Sequence, residues 1–226
     1  LSPTVMLTTG HSLFGVAAVS VCFDKGPISY SIENGQIVYP SNLVIYNGSP
    51  IIYPEYVRAL GDGKNQGNKV FSSSDLGLII LDEPVQEVTV FPTLPSAGLV
   101  DTLSAKSKLQ VVGYGVQIQQ TPKNNGVINS WIGTLSCNSA EVNLLSDNFA
   151  GSNKYIRCSA NPSQGKGGIA FGDSGGPVLY NVNSGSQGIV VAVNAYVSNL
   201  NCAGVTYHTR IDTSQVLDWI NGFLNL

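Results

Sequence analysis

The chain has 226 residues, of which only 11% are Asp, Glu, Lys or Arg, and its formal charge is −3 with a pI near 5.2. So little charge excludes a solvated disordered tail or a coiled coil, and the absence of a basic excess argues against a nucleic acid or an anionic membrane as partner. The 25 glycines and 11 prolines exceed ordinary usage, about 12% together, as a chain with many tight turns requires.

The start, Leu1 to Thr9, has no charged stretch and too short an apolar run for a secretory leader, so any targeting segment is expected to have been removed. No apolar run approaches the roughly 18 residues of a membrane helix. In chain order, short segments rich in β-branched and aromatic residues lie between turn signals. They are Val5–Thr8, Val16–Phe23, Gly35–Tyr39 and Leu76–Leu81, then Leu109–Tyr114, Trp131–Ser136, Tyr155–Ser159, Pro177–Tyr180, Gly188–Tyr196 and Tyr207–Ile211. With no helices between them they predict an all-β barrel or sandwich. The one expected helix is Ser214 to Leu224, capped by Asp212 or Thr213, with Val216, Leu217, Ile220, Phe223 and Leu224 on one face. The double-proline stretch from Pro92 to Gly98 reads as a link, which places a boundary near residue 100 between halves 1–100 and 101–226. The polar loops Gly61–Asn68, Thr121–Asn129 and Asn161–Gly168 are where binding specificity is expected.

The sharpest chemical signal is Gly172-Asp173-Ser174-Gly175-Gly176-Pro177, just ahead of an apolar strand. Flanking glycines let the backbone bend so that the Ser174 hydroxyl protrudes while the amides of Gly172 and Ser174 aim at one spot. A serine needs a base to take its proton and a third group to hold that base. Two histidines are available. His11 ends the segment Thr8-Thr-Gly-His11, whereas His208 sits within a strand near the C-terminal helix and reads as structural. Asp75, at the polar lip of the apolar run Leu76–Leu81, is placed to be half-buried, as an orienting carboxylate should be. Two histidines and four scattered cysteines lack the close spacing of a zinc site, so no metal and no cofactor is expected.

Together these motifs resemble the trypsin-like (chymotrypsin-fold) serine endopeptidases, in particular their microbial secreted branch. Leu7-Thr-Thr-Gly-His11-Ser is similar to the family's histidine motif, Ser74-Asp75-Leu-Gly-Leu-Ile-Ile-Leu to its aspartate motif, and Phe171-Gly-Asp-Ser174-Gly-Gly-Pro-Val to its serine motif, in the family's order. The resemblance implies two antiparallel six-stranded-type β-barrels followed by a C-terminal α-helix. It also implies an extracellular endopeptidase acting on a protein or peptide substrate. In the triad template Ser174 attacks the scissile carbonyl, His11 takes and returns the proton, Asp75 fixes the imidazole, and the Gly172 and Ser174 amides receive the oxyanion. Asp173 in the family pairs with a freshly cut terminal ammonium, a role not expected here because the residues before His11 are needed as a strand.

Several positions depart from the family pattern. The two strands that normally precede the histidine motif are absent, so the first barrel is expected to lack its opening strands, and an upstream segment or another chain to supply them. Ser12 and Ala170 stand where relatives carry cysteine, and Cys202 thereby loses its usual mate. The four cysteines allow three pairings, of which Cys137 with Cys158 is the expected one. Gly168, six residues before Ser174, would form the base of the primary specificity pocket, with Val191, Val193 and Thr206 as its walls. A pocket without a carboxylate disfavours Lys and Arg and fits small aliphatic side chains. The competing readings are a catalytically inactive binding protein of this fold and a serine esterase.

Overall fold

The structure, a computed structural model, describes residues 1–34, 36–61, 73–120, 130–146, 153–161, 166–183 and 186–224. The expected β architecture is present as two unequal sheets. Strands β1 (Val5–Thr8), β2 (Val19–Val21), β5 (Tyr46–Ile52) and β6 (Gly77–Leu81) form an antiparallel sheet in the order β1-β6-β5-β2. Between β2 and β5 a separate hairpin pairs β3 (Ser31–Glu33) with β4 (Gln36–Val38). The second half is a closed barrel in the order β10-β11-β14-β13-β12-β7, made of β7 (Lys108–Gly113), β10 (Asn138–Ser146), β11 (Tyr155–Ala160), β12 (Pro177–Tyr180), β13 (Ile189–Val197) and β14 (Gly204–Arg210). A small hairpin joins β8 (Ile118–Gln120) to β9 (Ser130–Ile132). Closing the sheet removes both edges in the second half. In the first half β1 and β2 are the outer strands of the sheet among the described residues.

Several elements differ from the sequence reading. Strand β5 contains Gly48 and Pro50, residues that disfavour strand interiors, yet pairs from Gly48 to Ile52 with β6. Its partner Gly77–Leu81 is almost entirely buried and carries it. Strand β10 alternates Ala140, Val142 and Leu144 inward with Ser139 and Glu141 outward, a period-2 pattern that the sequence displays but that its polar residues conceal. Helices also occur outside the C-terminus. A single turn, α1 (Gly10–Leu13), carries His11, and α2 (Pro54–Gly61) starts on Pro54 with Glu55 in its first turn, the sequence signature of a helix start. The C-terminal helix α3 spans Ser214–Leu224 and buries Val216, Leu217 and Ile220. No helix among the described residues is long and apolar enough to cross a membrane. Of the polar loops, Thr121–Asn129, residues 62–68 and residues 162–165 lie outside the described residues.

The barrel interior is filled by Leu109, Val111, Val142, Leu144, Ile156, Val178 and Val191. A second cluster packs Leu76, Val193, Ile211, Val216 and Ile220 between the halves and α3, each such side chain contributing about 1.5–3 kcal/mol on full burial. Polar ties also join the halves. The Tyr155 hydroxyl on β11 donates to Ser73 O at 2.9 Å, and Lys154 pairs with Glu55 of α2 at 3.1 Å. Glu55 in turn accepts the Ser74 N–H at 3.3 Å, so the residues beside Asp75 are anchored to the barrel. Asp212 does not cap α3 with its side chain. Its carboxylate, fully buried, is occupied by Arg210 and the Val100 amide.

Candidate active site

His11 and Asp75 come together where α1 meets the start of β6. Asp75 Oδ2 lies 2.7 Å from His11 Nδ1, and Oδ1 accepts the His11 backbone N–H at 2.8 Å. One carboxylate therefore fixes both the ring and the chain that carries it. Asp75 is buried and His11 exposed, so the imidazole edge carrying Nε2 is available to a reacting group while Nδ1 is committed.

Ser174 is supplied by the loop between residue 171 and β12. The loop is seated against the histidine strand: a Cβ on Gly175 would stand 2.2 Å from Thr8 Oγ1, and φ at this residue is +87°. Gly172 also adopts a positive φ, +93°, which L side chains rarely tolerate. Two anchors hold the turn. Gly175 N–H donates to Asn194 O at 2.9 Å and Asn194 N–H to Gly176 O at 2.8 Å. On the other side Asp173 accepts the Gly115 and Ala170 amides, each at 2.8 Å. Burial pushes the Asp173 carboxyl up, and these two amides pull it partly back. No terminal ammonium sits on it; the Leu1 nitrogen donates to Val5 O at 2.9 Å. The amides of Gly172 and Ser174 have no acceptor among the described residues, so both are available to a developing oxyanion. The Ser174 hydroxyl donates to Ala195 O at 3.4 Å, and no hydrogen bond joins it to His11 among the described residues. Among the described residues no group of three His, Cys, Asp or Glu is placed to hold a metal ion.

A family model described as Trypsin matches residues 56–220, a stretch that includes Asp75 and Ser174 and begins after His11. The chain belongs to the trypsin family. Among solved structures it is similar to a mutant of human heparin binding protein (CAP37), with TM-score 0.62 and 18% identity over 100% of this chain and 84% of that one. At that identity the likeness shows the fold, which is chymotrypsin-like. No curated protein matches the chain.

The residues expected around the primary pocket have different surroundings in the structure. Gly168 lines a cavity of about 280 Å³ with Gly167, Ala170, Asp173 and Cys202. Val193 instead lines an apolar cavity of about 210 Å³ with Leu7, Phe23 and Pro177. Val191 and Thr206 border neither of these cavities; Val191 is part of the barrel core, and the buried Thr206 hydroxyl is 2.8 Å from His208 Nε2. The part of β13 that touches the Ser174 hydroxyl is Ala195, four residues beyond Val191. The run Ile189–Val193 lies in the part of β13 that is buried in the barrel.

The cysteine pairing is corrected. All four cysteines are free thiols. Cys137 directly precedes β10, whereas Cys158 pairs with Leu144 near the other end of that strand. Six strand residues span about 20 Å, far beyond the roughly 7 Å limit between bridged Cα atoms. Burial pushes the Cys158 thiol up to about 12, which makes it unreactive.

His208 is fully buried, and burial pushes its imidazole down to about 3. In the unfolded chain a histidine takes up its proton near 6.5. As pH falls from about 6.5 toward 3 the unfolded state therefore binds one more proton than the folded state, and stability drops by on the order of 1.4 kcal/mol per pH unit. The raised Asp173 carboxyl acts in the opposite sense at the acid end. Urea midpoints between pH 7 and pH 4 should fall, with a shallower slope in His208→Gln; equal slopes in the two proteins would assign the titration to another group.

Proposed function

We propose that the protein is an extracellular serine endopeptidase of the microbial secreted kind, cleaving peptide bonds through an acyl-enzyme on Ser174. The observation that carries this reading is the two-point grip of Asp75 on His11, at 2.7 and 2.8 Å. It leaves Nδ1–H held by the carboxylate and Nε2 as the base. Ser174 Oγ bonds to the scissile carbonyl carbon as its proton passes to Nε2, and the oxyanion is received by the Gly172 and Ser174 amides. Collapse breaks the C–N bond while His11 returns the proton to the leaving amine; water repeats the sequence to release the acid. Each oxyanion donor of this kind is worth about 2.7–4 kcal/mol in the barrier, so the geometry of the turn that presents the Gly172 and Ser174 amides matters as well as the triad.

The substrate is a protein or peptide. Gly168 brings no carboxylate to the pocket base, which supports small or aliphatic side chains before the cleaved bond over Lys and Arg. A peptide library cleaved chiefly after Arg would overturn that preference. Low charge and the many Ser, Thr, Asn and Gly residues support secretion. An upstream segment or a second chain adding strands at the outer edges of β1 and β2 fits the four-stranded first sheet.

One observation favours a second reading, a binding protein of the same fold: the Ser174 hydroxyl points to Ala195 O and not to His11. Catalytic hydrogen bonds in unliganded sites are often loose and tighten on binding, so the first reading is preferred. The deciding experiment is labelling with a fluorophosphonate, read by intact mass and peptide mapping, with Ser174→Ala as control. A single adduct on Ser174 is expected. No adduct on folded protein would favour the binding reading, and an adduct with ester but no amide turnover would make the protein an esterase.

A further inference from the structure

A chain of polar side chains runs through the apolar barrel beneath Ser174. Asn194, His208 and Thr206 are all fully buried, where an unpaired amide or imidazole is costly. Their hydrogen bonds allow one consistent assignment. Asn194 Nδ2 donates to Val112 O at 3.0 Å, which turns Oδ1 toward His208 Nδ1, also at 3.0 Å. Nδ1 must therefore carry the ring proton, leaving Nε2 as the acceptor for the Thr206 hydroxyl at 2.8 Å, closer than the Cys158 carbonyl at 3.4 Å.

The same asparagine holds the nucleophile loop through its backbone, bonded to Gly175 and Gly176 at 2.9 and 2.8 Å. It also stands at an irregularity in the barrel. On β14, His208 faces Asn194 and the adjacent Tyr207 faces Tyr196, so Ala195 is an extra residue on β13. A bulge of this kind redirects the groups of the extra residue, and the Ala195 carbonyl is the one that meets the Ser174 hydroxyl. A slip of one residue would place an apolar side chain opposite His208, stranding both ring and amide in the core.

We propose that Asn194, oriented by His208 and Thr206, is a positioning residue for Ser174: its side-chain bond to His208 fixes the register of β13 on β14, and with it the bulge and the loop anchors that place the hydroxyl. This rests on the reading of Ser174 as the nucleophile. His208→Phe keeps a ring but removes the N–H donor; His208→Gln keeps a donor; Thr206→Val removes the donor to Nε2, leaving that buried nitrogen unpaired and the ring held from one side only. The measurements are the second-order rate of fluorophosphonate labelling of Ser174, and kcat and KM on a peptide amide, all well below each protein's melting transition.

His208→Phe and Thr206→Val should slow labelling and lower kcat by about tenfold to a hundredfold, with KM near wild type, and His208→Gln should recover most of the loss. A purely structural role would lower the melting temperature and leave these rates unchanged in the folded protein. Labelling of folded His208→Phe at the wild-type rate would overturn the proposal. If that variant does not fold, wild-type rates in Thr206→Val would do so. An unlabelled wild type would overturn the nucleophile reading and this inference with it.

Discussion

Asp75→Asn should lower kcat by about 10⁴, as the same exchange does in the template Ser-His-Asp enzyme, while the protein remains folded. The reason lies in the two bonds that the carboxylate makes. Oδ1 accepts the His11 backbone N–H and Oδ2 faces Nδ1. An asparagine can keep the first as acceptor, but it then turns its NH₂ toward Nδ1. That stabilises the tautomer with the proton on Nε2, the nitrogen that has to accept one from Ser174. The ground-state structure changes little and the base is lost. Steady-state turnover with an unchanged melting temperature checks this. A variant with more than a tenth of wild-type kcat would mean that His11 is not the base.

Asp212→Ala should have the largest effect on stability. Asp212 Oδ1 accepts Arg210 Nε at 2.8 Å, and Oδ2 accepts the second guanidinium nitrogen at 3.0 Å and the Val100 N–H at 2.8 Å. Arg210 also reaches Asp101 at 2.7 Å, so the end of β14, the turn at Leu99–Thr102 and the start of α3 meet at one carboxylate. Removing it leaves a buried guanidinium and a buried amide without their main acceptor. Breaking such a pair costs about 3–5 kcal/mol, equivalent to a fall of roughly 10 °C in melting temperature for a chain of this size. Asp101→Ala, whose carboxylate is more than half exposed, should cost far less. Thermal melts of the two variants test the ranking, and equal losses would contradict the account.

The parts of the fold that could be read from the chain are those where local pattern and tertiary demand coincide. Val5–Thr8 and Pro177–Tyr180 have the expected bounds, as does the amphipathic helix Ser214–Leu224. What escaped depended on partners. Strand β5 is a poor strand by composition and exists because β6 offers it a buried edge. Asn194 carried a legible hint, a lone polar residue following the apolar run Ile189–Val193, but its role depends on His208, fourteen positions away in sequence and its register partner on the adjacent strand.

The same division applies to the site. Three short motifs by themselves marked the candidate chemistry, because a nucleophile, a base and an orienting carboxylate each require a particular residue type in a particular local setting: a glycine turn for Ser174, a strand end for His11, a polar lip before an apolar strand for Asp75. The cysteine neighbourhoods and the anchors of Asp173 were decided by the tertiary structure alone. Those properties follow from strand register and burial, because the pairing of strands decides which residues distant in sequence become neighbours.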